Sequence, residues 1–225
     1  MIRHLLQLIW NQRKQNAWLW AELLLVSVFL WFLVDYLYVM GRTYTAPLGF
    51  DIRHTYSIVI SSLSERSPDY IPKEKRERPD GVHLLTALDR IRTYPGVESA
   101  CLTDGGMPYY MGSRNLVWRI DTLQVPCRYA FVTPEFFDVF RIYDKEGETA
   151  SLKRAIEDNN SIVISADVET MNPGLSLLGQ KAYRGNVTDE IEETIRGISV
   201  PIRRHEYTKA EPNVYRACLL YTSPS

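Results

Sequence analysis

The segment of this sequence that comes nearest to a chemical motif is the glycine-containing stretch 174–181, GLSLLGQK. A phosphate-binding loop carries a lysine directly after its second glycine and then a serine or threonine, which contact the phosphates and the metal ion. Here Gln180 stands in the lysine position, and Lys181 is followed by Ala182. The sequence therefore predicts a surface turn here and no nucleotide site.

Other catalytic and metal-binding patterns are also missing from the sequence. No serine lies in a G-x-S-x-G elbow, and no cysteine has a histidine near it in the chain. The acidic pairs Asp189-Glu190 and Glu192-Glu193 fit a solvated face better than acid–base chemistry. The histidines stand apart from one another, without metal-ligand spacing; they are His4, His54, His83 and His205. We therefore predict no enzyme and no catalytic, cofactor-binding or metal-binding residue, although a triad can also assemble from distant residues.

The cysteines, Cys101, Cys127 and Cys218, are far apart and form no C-x-x-C pair. Zinc frameworks and thioredoxin-like redox centres need such pairs, so the spacing argues against both. Two interpretations of Cys101 and Cys127 stay open. They form a disulfide if the domain lies outside the cytoplasm, or they are small apolar residues of two strands, which the sequence favours.

The charge pattern gives no sign of nucleic-acid binding. The formal net charge is −1. The charged run 73–78, KEKRER, mixes both signs, and the basic run 203–205, RRH, is too short to form a patch. We therefore expect no nucleic-acid partner.

A long apolar run at residues 17–40 predicts a transmembrane helix. As a helix it would be ~36 Å long at ~1.5 Å per residue, enough for a hydrocarbon core of ~30 Å. Tryptophans 18 and 20 and tyrosines 36 and 38 would form aromatic belts at its two ends. A cleaved signal peptide is disfavoured because no small-x-small site follows the run. A buried core helix is disfavoured because every face is apolar.

The orientation of this span follows from the basic residues around it. Arg3, Arg13 and Lys14 precede the span, whereas Arg42 and Arg53 follow it. The positive-inside rule then places the N-terminus in the cytoplasm and the rest of the chain outside it.

Two further features belong to the membrane part. Residues 1–16 alternate apolar and polar positions with helical spacing, which indicates an amphipathic segment lying on the cytoplasmic face of the bilayer or else the start of the span. Glu22 and Asp35 interrupt the span near its ends. Each either bends towards the headgroups or faces neighbouring helices of a larger bundle.

Residues 41–217 predict an α+β domain with a mixed or antiparallel sheet. Asp80 can cap a helix whose apolar stripe ends near Ile91, and Thr133-Pro134-Glu135 is a strong helix start. Runs of β-branched and alternating residues predict the strands, which are placed at 56–61, 97–103, 116–120, 125–132, 161–165, 181–183, 193–202 and 213–215.

The order of these parts resembles ABC-transporter permeases of the MacB/FtsX type. The opening stretch 1–14 runs directly into the span, and PLGFD follows at 47–51. Within the domain, the stretch 132–140, VTPEFFDVF, resembles the segment that introduces the middle helix of the MacB-like periplasmic core domain. The stretches 161–165, SIVIS, and 172–179, NPGLSLLG, are similar to two later segments of that domain.

The resemblance implies a permease subunit of the bacterial inner membrane with its main domain in the periplasm. It further implies a cytoplasmic ABC ATPase and a second permease copy as partners, and no catalytic residue in the permease itself. Because the family has three more membrane helices after this domain, we expect the chain to be C-terminally truncated and residues 218–225 to be a non-native tail. The alternatives are a single-span sensor with a ligand-binding outer domain and a membrane-tethered enzyme.

Overall fold

A computed structural model describes residues 3, 7, 10, 14, 17–60, 63–72, 75, 80–110, 112, 114–184 and 190–218. The chain divides into two compact units, Met1–Ala46 and Pro47–Ser225, which are described separately. The predicted amphipathic segment 1–16 lies outside the described residues except at four positions. The predicted tail lies outside them except at Cys218, whose amide donates to the carbonyl of Val132 at 3.0 Å.

The first unit contains helix α1, Ala17–Thr45, of 29 residues. At ~1.5 Å per residue it is ~44 Å long, and none of its residues is buried. Among the described residues it is the helix that is long and apolar enough to cross a membrane. The predicted helix is confirmed, and it continues beyond Met40 to Thr45, whose hydroxyl donates to the carbonyl of Gly41 at 3.0 Å.

The second unit alternates helices and strands. Its helices are α2 (Asp80–Arg92), α3 (Phe136–Val139), α4 (Ala150–Glu157) and α5 (Asp167–Met171). Its strands are β1 (Thr103–Asp104), β2 (Asn115–Ile120), β3 (Leu123–Val132), β4 (Ser161–Ser165), β5 (Lys181–Arg184), β6 (Ile191–Ser199) and β7 (Asn213–Ala217). The predicted α+β class is confirmed.

The strands of the second unit form one mixed sheet that closes on itself. Neighbouring strands follow the order β1-β3-β2-β5-β6-β4-β7, and β7 also pairs with β3. The pairs β4–β6 and β3–β7 are parallel, and the others are antiparallel. Strand β7, at one end of the order, thus pairs with β3, which is next to β1 at the other end, so the strands from β2 to β7 form a closed ring with β1 outside it.

Two apolar cores lie on the two sides of this ring. The inner core takes buried residues from each strand of the ring; they include Trp118, Cys127, Ile164, Ala182, Ile195 and Val214. The outer core packs α3 and α4 against β3, β4 and β7. Strand β4 serves both cores, because Ile162 and Ile164 face inward while Val163 faces outward, as the two-residue period of a strand requires. It is buried throughout.

Two predicted strands are corrected by the structure. Of the predicted strand 56–61, residues 56–60 form no strand and Ser61 lies outside the described residues; of the segment 97–103 only Thr103 belongs to a strand. Both segments have strand-like composition, but a strand forms only where another strand lies alongside to take up its hydrogen bonds. Helices α4 and α5 were not predicted. They have only eight and five residues, and helices this short are stabilised more by packing against the sheet than by their own propensity.

Candidate functional site

The chain leaves α1 through residues 47–55, PLGFDIRHT, here named the junction segment. Its main chain bonds to two distant parts of the second unit. The carbonyl of Leu48 accepts a hydrogen bond from the amide of Arg203 at 3.0 Å, and the amide of Asp51 donates to the carbonyl of Phe140 at 2.9 Å. The junction segment is therefore attached both to the end of α3 and to the connection between β6 and β7.

Glycine at position 49 is required for this close attachment. Gly49 has φ +83°, a conformation that side chains with a Cβ rarely adopt. A Cβ built at this position would lie 2.1 Å from the carbonyl oxygen of Pro201. Backbone approaches backbone here, so a larger residue could be accommodated only if the main chain moved.

The ring of Phe50 anchors the junction segment on its apolar side. Phe50 packs against the outer core and meets the ring of Tyr109 edge-on, with centroids 5.8 Å apart and planes at 86°. The amide of Tyr109 donates to the carbonyl of Arg204 at 3.1 Å. The aromatic contact and the two main-chain bonds together hold the segment on the domain.

Asp51 organises a small charged cluster within the junction segment. Its carboxylate lies 2.8 Å from Nη2 of Arg53 and 3.3 Å from Nη1 of Arg141. Hydrogen bonds from the side chain and the amide of Arg53 lower the pKa of Asp51 to about 2. Arg141 Nη1 also donates to the carbonyl of Arg53 at 3.3 Å. Arg141, the residue after Phe140, thus adds a side-chain link between the junction segment and the end of α3.

The cluster lines an open cavity of ≈ 540 Å³. The lining residues are Gly49, Phe50, Asp51, Arg53, His54, Arg141, Tyr143 and Val200. His54 and Arg141 are non-glycine residues with positive φ, at 62° and 49°. Such conformations cost energy and are kept where the surroundings enforce them. This site was not predicted from the sequence, because Asp51 and Arg53 are near in sequence but Arg141 joins them only through the fold.

The loop at 174–181 precedes β5 and is bound to the sheet. The amide of Gly179 donates to the carbonyl of Ile195 at 2.8 Å, and the amide of Ile195 donates back to Gln180 at 2.9 Å. Lys181 forms an exposed ion pair with Glu192 at 2.8 Å. The loop is thus a turn, held to β6 by main-chain hydrogen bonds.

The sequence predicted that both acidic pairs lie on a solvated face. The structure corrects this prediction for one of the four residues. Asp189 lies outside the described residues, and Glu190 pairs with Arg119. Glu193, however, is 1 % exposed. It is two residues from Ile195 on the same strand and therefore points into the ring.

Glu193 has arginine partners inside the ring. Nε of Arg216 donates to Oε1 of Glu193 at 2.7 Å, and Nε of Arg184 lies 3.4 Å from Oε2. The guanidinium of Arg216 also lies 5.2 Å from the ring centroid of Phe131. A buried carboxylate is costly unless it is paired, and these two arginines supply the pairing. Burial lowers the pKa of Arg216 and the charge of Glu193 opposes that change.

The histidines of the described chain lie in different places. His54 lines the cavity, His83 is exposed on α2, and Nδ1 of His205 accepts from the amide of Tyr207 at 3.2 Å; His4 lies outside the described residues. Within the part of the chain that the structure describes, no group of three His, Cys, Asp or Glu side chains could hold a metal ion.

Cys101 and Cys127 are free thiols, so the disulfide considered for them does not form. Cys127 belongs to the inner core and Cys101 packs against the outer core. The ring wall thus lies between them. Burial raises the pKa of each thiol to about 12.

No protein family model matches the sequence, and no curated protein matches it. Comparison with solved structures finds the periplasmic region of MacB from Actinobacillus actinomycetemcomitans, with TM-score 0.42 and 10 % identity, covering 59 % of this chain and 54 % of that one. It also finds a domain of a permease protein from Porphyromonas gingivalis, with TM-score 0.44 and 19 % identity, covering 62 % and 52 %.

A third similar structure is the extracellular domain of the noncanonic ABC-type transporter YknZ from Gram-positive bacteria. It has TM-score 0.41 and 12 % identity, and the alignment covers 59 % of this chain and 60 % of that one. The chain thus spans between about half and three fifths of the structures it matches.

Proposed function

We propose that this chain is the membrane-anchored extracytoplasmic part of an ABC-transporter permease of the MacB/FtsX type. In this proposal a cytoplasmic ATPase moves the membrane helices, and the junction segment passes that motion to the outer domain. The observation that carries the proposal is the attachment of the junction segment, by main-chain bonds from Leu48 and Asp51, to two distant parts of the domain.

The connection between α1 and the domain is suited to transmitting force. Only Ala46 separates the end of α1 at Thr45 from Pro47. Proline fixes its own φ and restricts the residue before it, so the connection has little freedom to absorb a displacement. Movement of α1 would therefore pull on the end of α3 and on the β6–β7 connection instead of being lost in a flexible linker.

The proposal includes an orientation and partners. The basic residues before α1 place the N-terminus in the cytoplasm and the domain in the periplasm of the bacterial inner membrane. Glu22 and Asp35 then face neighbouring helices in a bundle that includes a second permease copy, since carboxylates in the membrane are kept where they face protein or water. The ATPase binds on the cytoplasmic side.

The test uses the chain within the reading frame recovered from its source DNA, expressed with the neighbouring ATPase gene and reconstituted in nanodiscs. Spin labels on the domain and at the start of α1 report a distance that should change between ATP and ADP–vanadate. Inserting Gly-Gly-Ser after Ala46 should abolish that change, because a flexible linker absorbs displacement. The same insertion after Arg66, in an exposed stretch, is the control and should leave the change intact.

The proposal fails if no ATPase copurifies, or if the insertion after Ala46 leaves the distance change as large as before.

The cavity beside Asp51 favours the second candidate, a single-span sensor whose outer domain binds a ligand. That candidate predicts that a small anionic compound stabilises the domain through Arg53 and Arg141. A thermal-shift screen that gives the same response in Arg53→Gln/Arg141→Gln and in the unaltered chain would exclude it.

A further inference from the structure

A short loop after β1, residues 105–110, lies against the outer core and is here named the lid. Its sequence is GGMPYY. Three of its residues have positive φ: Gly105 at 85°, Gly106 at 70° and Tyr109 at 61°. Glycine adopts such conformations freely, whereas tyrosine is strained in them. The lid therefore combines a conformationally free glycine pair at its start with a strained residue near its end.

The first half of the lid sits directly on buried apolar side chains. A Cβ built at Gly106 would lie 2.6 Å from Cβ of Ala130 and 3.6 Å from Cε1 of Tyr215. It would also lie 3.8 Å from Cζ of Phe136, and the side chain of Met107 packs against the outer core. The three residues that Gly106 approaches are all buried. Movement of the lid away from the domain would therefore uncover this part of the outer core.

Weak contacts fix the first half of the lid. The amides of Gly106 and Met107 donate no main-chain hydrogen bond within the described residues. The carbonyl of Gly105 accepts a hydrogen bond from the hydroxyl of Thr103, and the hydroxyl of Ser57 lies 3.8 Å from the sulfur of Met107, which is a weak acceptor. A segment with few protected hydrogen bonds opens locally at a low free energy.

Tyr109 holds the second half of the lid to two other segments. Its amide donates to the carbonyl of Arg204 at 3.1 Å, and its hydroxyl donates to the carboxylate of Glu206, both in the β6–β7 connection. Its ring meets Phe50 of the junction segment edge-on, with centroids 5.8 Å apart. Because the left-handed backbone of Tyr109 costs energy, these contacts keep it in place, and the strain is released when they are lost.

We propose that residues 105–110 open and close over the outer core as a unit, with Tyr109 as the latch and Phe50 as the residue by which the junction segment keeps the lid closed. The open lid exposes apolar surface of the outer core that the closed lid covers. The glycine pair is the hinge, because glycine can change φ without a side-chain clash. The lid needs no ATPase, so it can fail while the proposed function stands, and the reverse also holds.

Hydrogen exchange of single amides, measured in the full chain in detergent, tests the latch. In the unaltered chain the Tyr109 amide should exchange by local opening, at a rate that low urea concentrations leave unchanged. The Ile195 amide, which donates to the carbonyl of Gln180 at 2.9 Å, should exchange through unfolding of the domain and therefore faster in urea. Phe50→Ala and Tyr109→Phe should each speed exchange at position 109 about tenfold relative to exchange at Ile195. Tyr110→Phe, at the neighbouring exposed tyrosine, is the control and should change neither rate.

Two glycine substitutions separate lid opening from backbone strain. Alanine meets a positive φ at both positions of the hinge. At Gly105 the added Cβ has ordinary contacts from 3.4 Å outwards, whereas at Gly106 it would lie 2.6 Å from Cβ of Ala130. Gly106→Ala should therefore lift the lid and speed exchange at Tyr109 several-fold more than Gly105→Ala does. Gly106→Ala/Ala130→Gly removes the opposing Cβ and should reverse part of that increase.

Three results would overturn the proposal. The first is that the Tyr109 and Ile195 amides respond alike to urea, which would mean that the lid opens only when the domain unfolds. The second is that Phe50→Ala speeds exchange at both amides equally. The third is that Gly105→Ala and Gly106→Ala have equal effects on exchange at Tyr109.

Discussion

The amide of Asp51 donates to the carbonyl of Phe140 at 2.9 Å, which joins the stretch directly after α1 to the last residue of the α3 turn. Phe140 also belongs to the outer core, with its ring centroid 4.8 Å from that of Phe136. This one hydrogen bond therefore connects the junction segment to the outer core of the domain. The attachment of the junction segment, the buried ion pair of Glu193 and Arg216, and the orientation of the chain in the membrane can each be tested.

Replacing Gly49 with alanine should destabilise the domain by about 1–3 kcal/mol, the cost of a strained backbone conformation, and more if the main chain must move away from Pro201. Gly147→Ala is the matched control, because Gly147 has φ +89° but a Cβ added there would have nothing within 4 Å. Urea unfolding of the two variants measures the difference. Equal losses of stability in both would show that the approach of Gly49 to Pro201 contributes nothing.

Asp51→Asn should reduce stability at neutral pH and have less effect in acid. The pKa of Asp51 in the folded protein is about 2, below its usual value of 3.8. The ionised carboxylate therefore stabilises the fold above about pH 4, and this contribution is lost as the pH falls towards 2. Melting temperatures of both proteins between pH 7 and pH 2 should converge in acid. Asp69→Asn, at an exposed position, is the control, and parallel curves for Asp51→Asn would contradict the prediction.

Glu193→Leu should destabilise the domain by about 3–5 kcal/mol, because it leaves the buried guanidinium of Arg216 without its carboxylate. The double variant Glu193→Leu/Arg216→Met replaces the pair with apolar side chains and should recover most of that loss. Chemical denaturation of the single and double variants gives the comparison. If the double variant is less stable than the single one, the loss comes from packing and not from the unpaired charge.

The orientation of the chain can be measured by cysteine labelling in intact spheroplasts. Ser64→Cys, at an exposed position after the span, should react with a membrane-impermeant thiol reagent without lysis. Gln7→Cys, at an exposed position before the span, should react only after lysis. The unaltered chain corrects for native thiols. The reverse pattern would place the domain in the cytoplasm and remove the proposed function.

Several elements of the fold were predictable because local sequence decides them. The helix over 17–40 needs no partner element, since an α-helix satisfies its own main-chain hydrogen bonds and an apolar run of this length matches the membrane core. Strands β2, β3 and β4 show their β-branched or alternating residues directly, and the start of α3 follows from Thr133-Pro134-Glu135.

Other features depended on contacts between distant parts of the chain. Residues 56–60 have the composition of a strand but form none, because no strand lies beside them within the described chain. Glu193 lies in a run of acidic residues, and from the sequence its side chain was predicted to be solvated. It is buried, because its side chain on β6 points into the ring, where Arg216 and Arg184 pair with it.

The sequence by itself determined the long apolar helix, the α+β class and the positions of most strands, because propensity, apolar length and turn residues act over a few neighbouring positions. Only the tertiary structure decided that β7 pairs with β3 and closes the ring, that Arg141 joins Asp51, and that Gly49 meets Pro201. Each of these joins residues far apart in the chain. Which partners meet is set by packing the whole domain around two cores, and no local pattern records that choice.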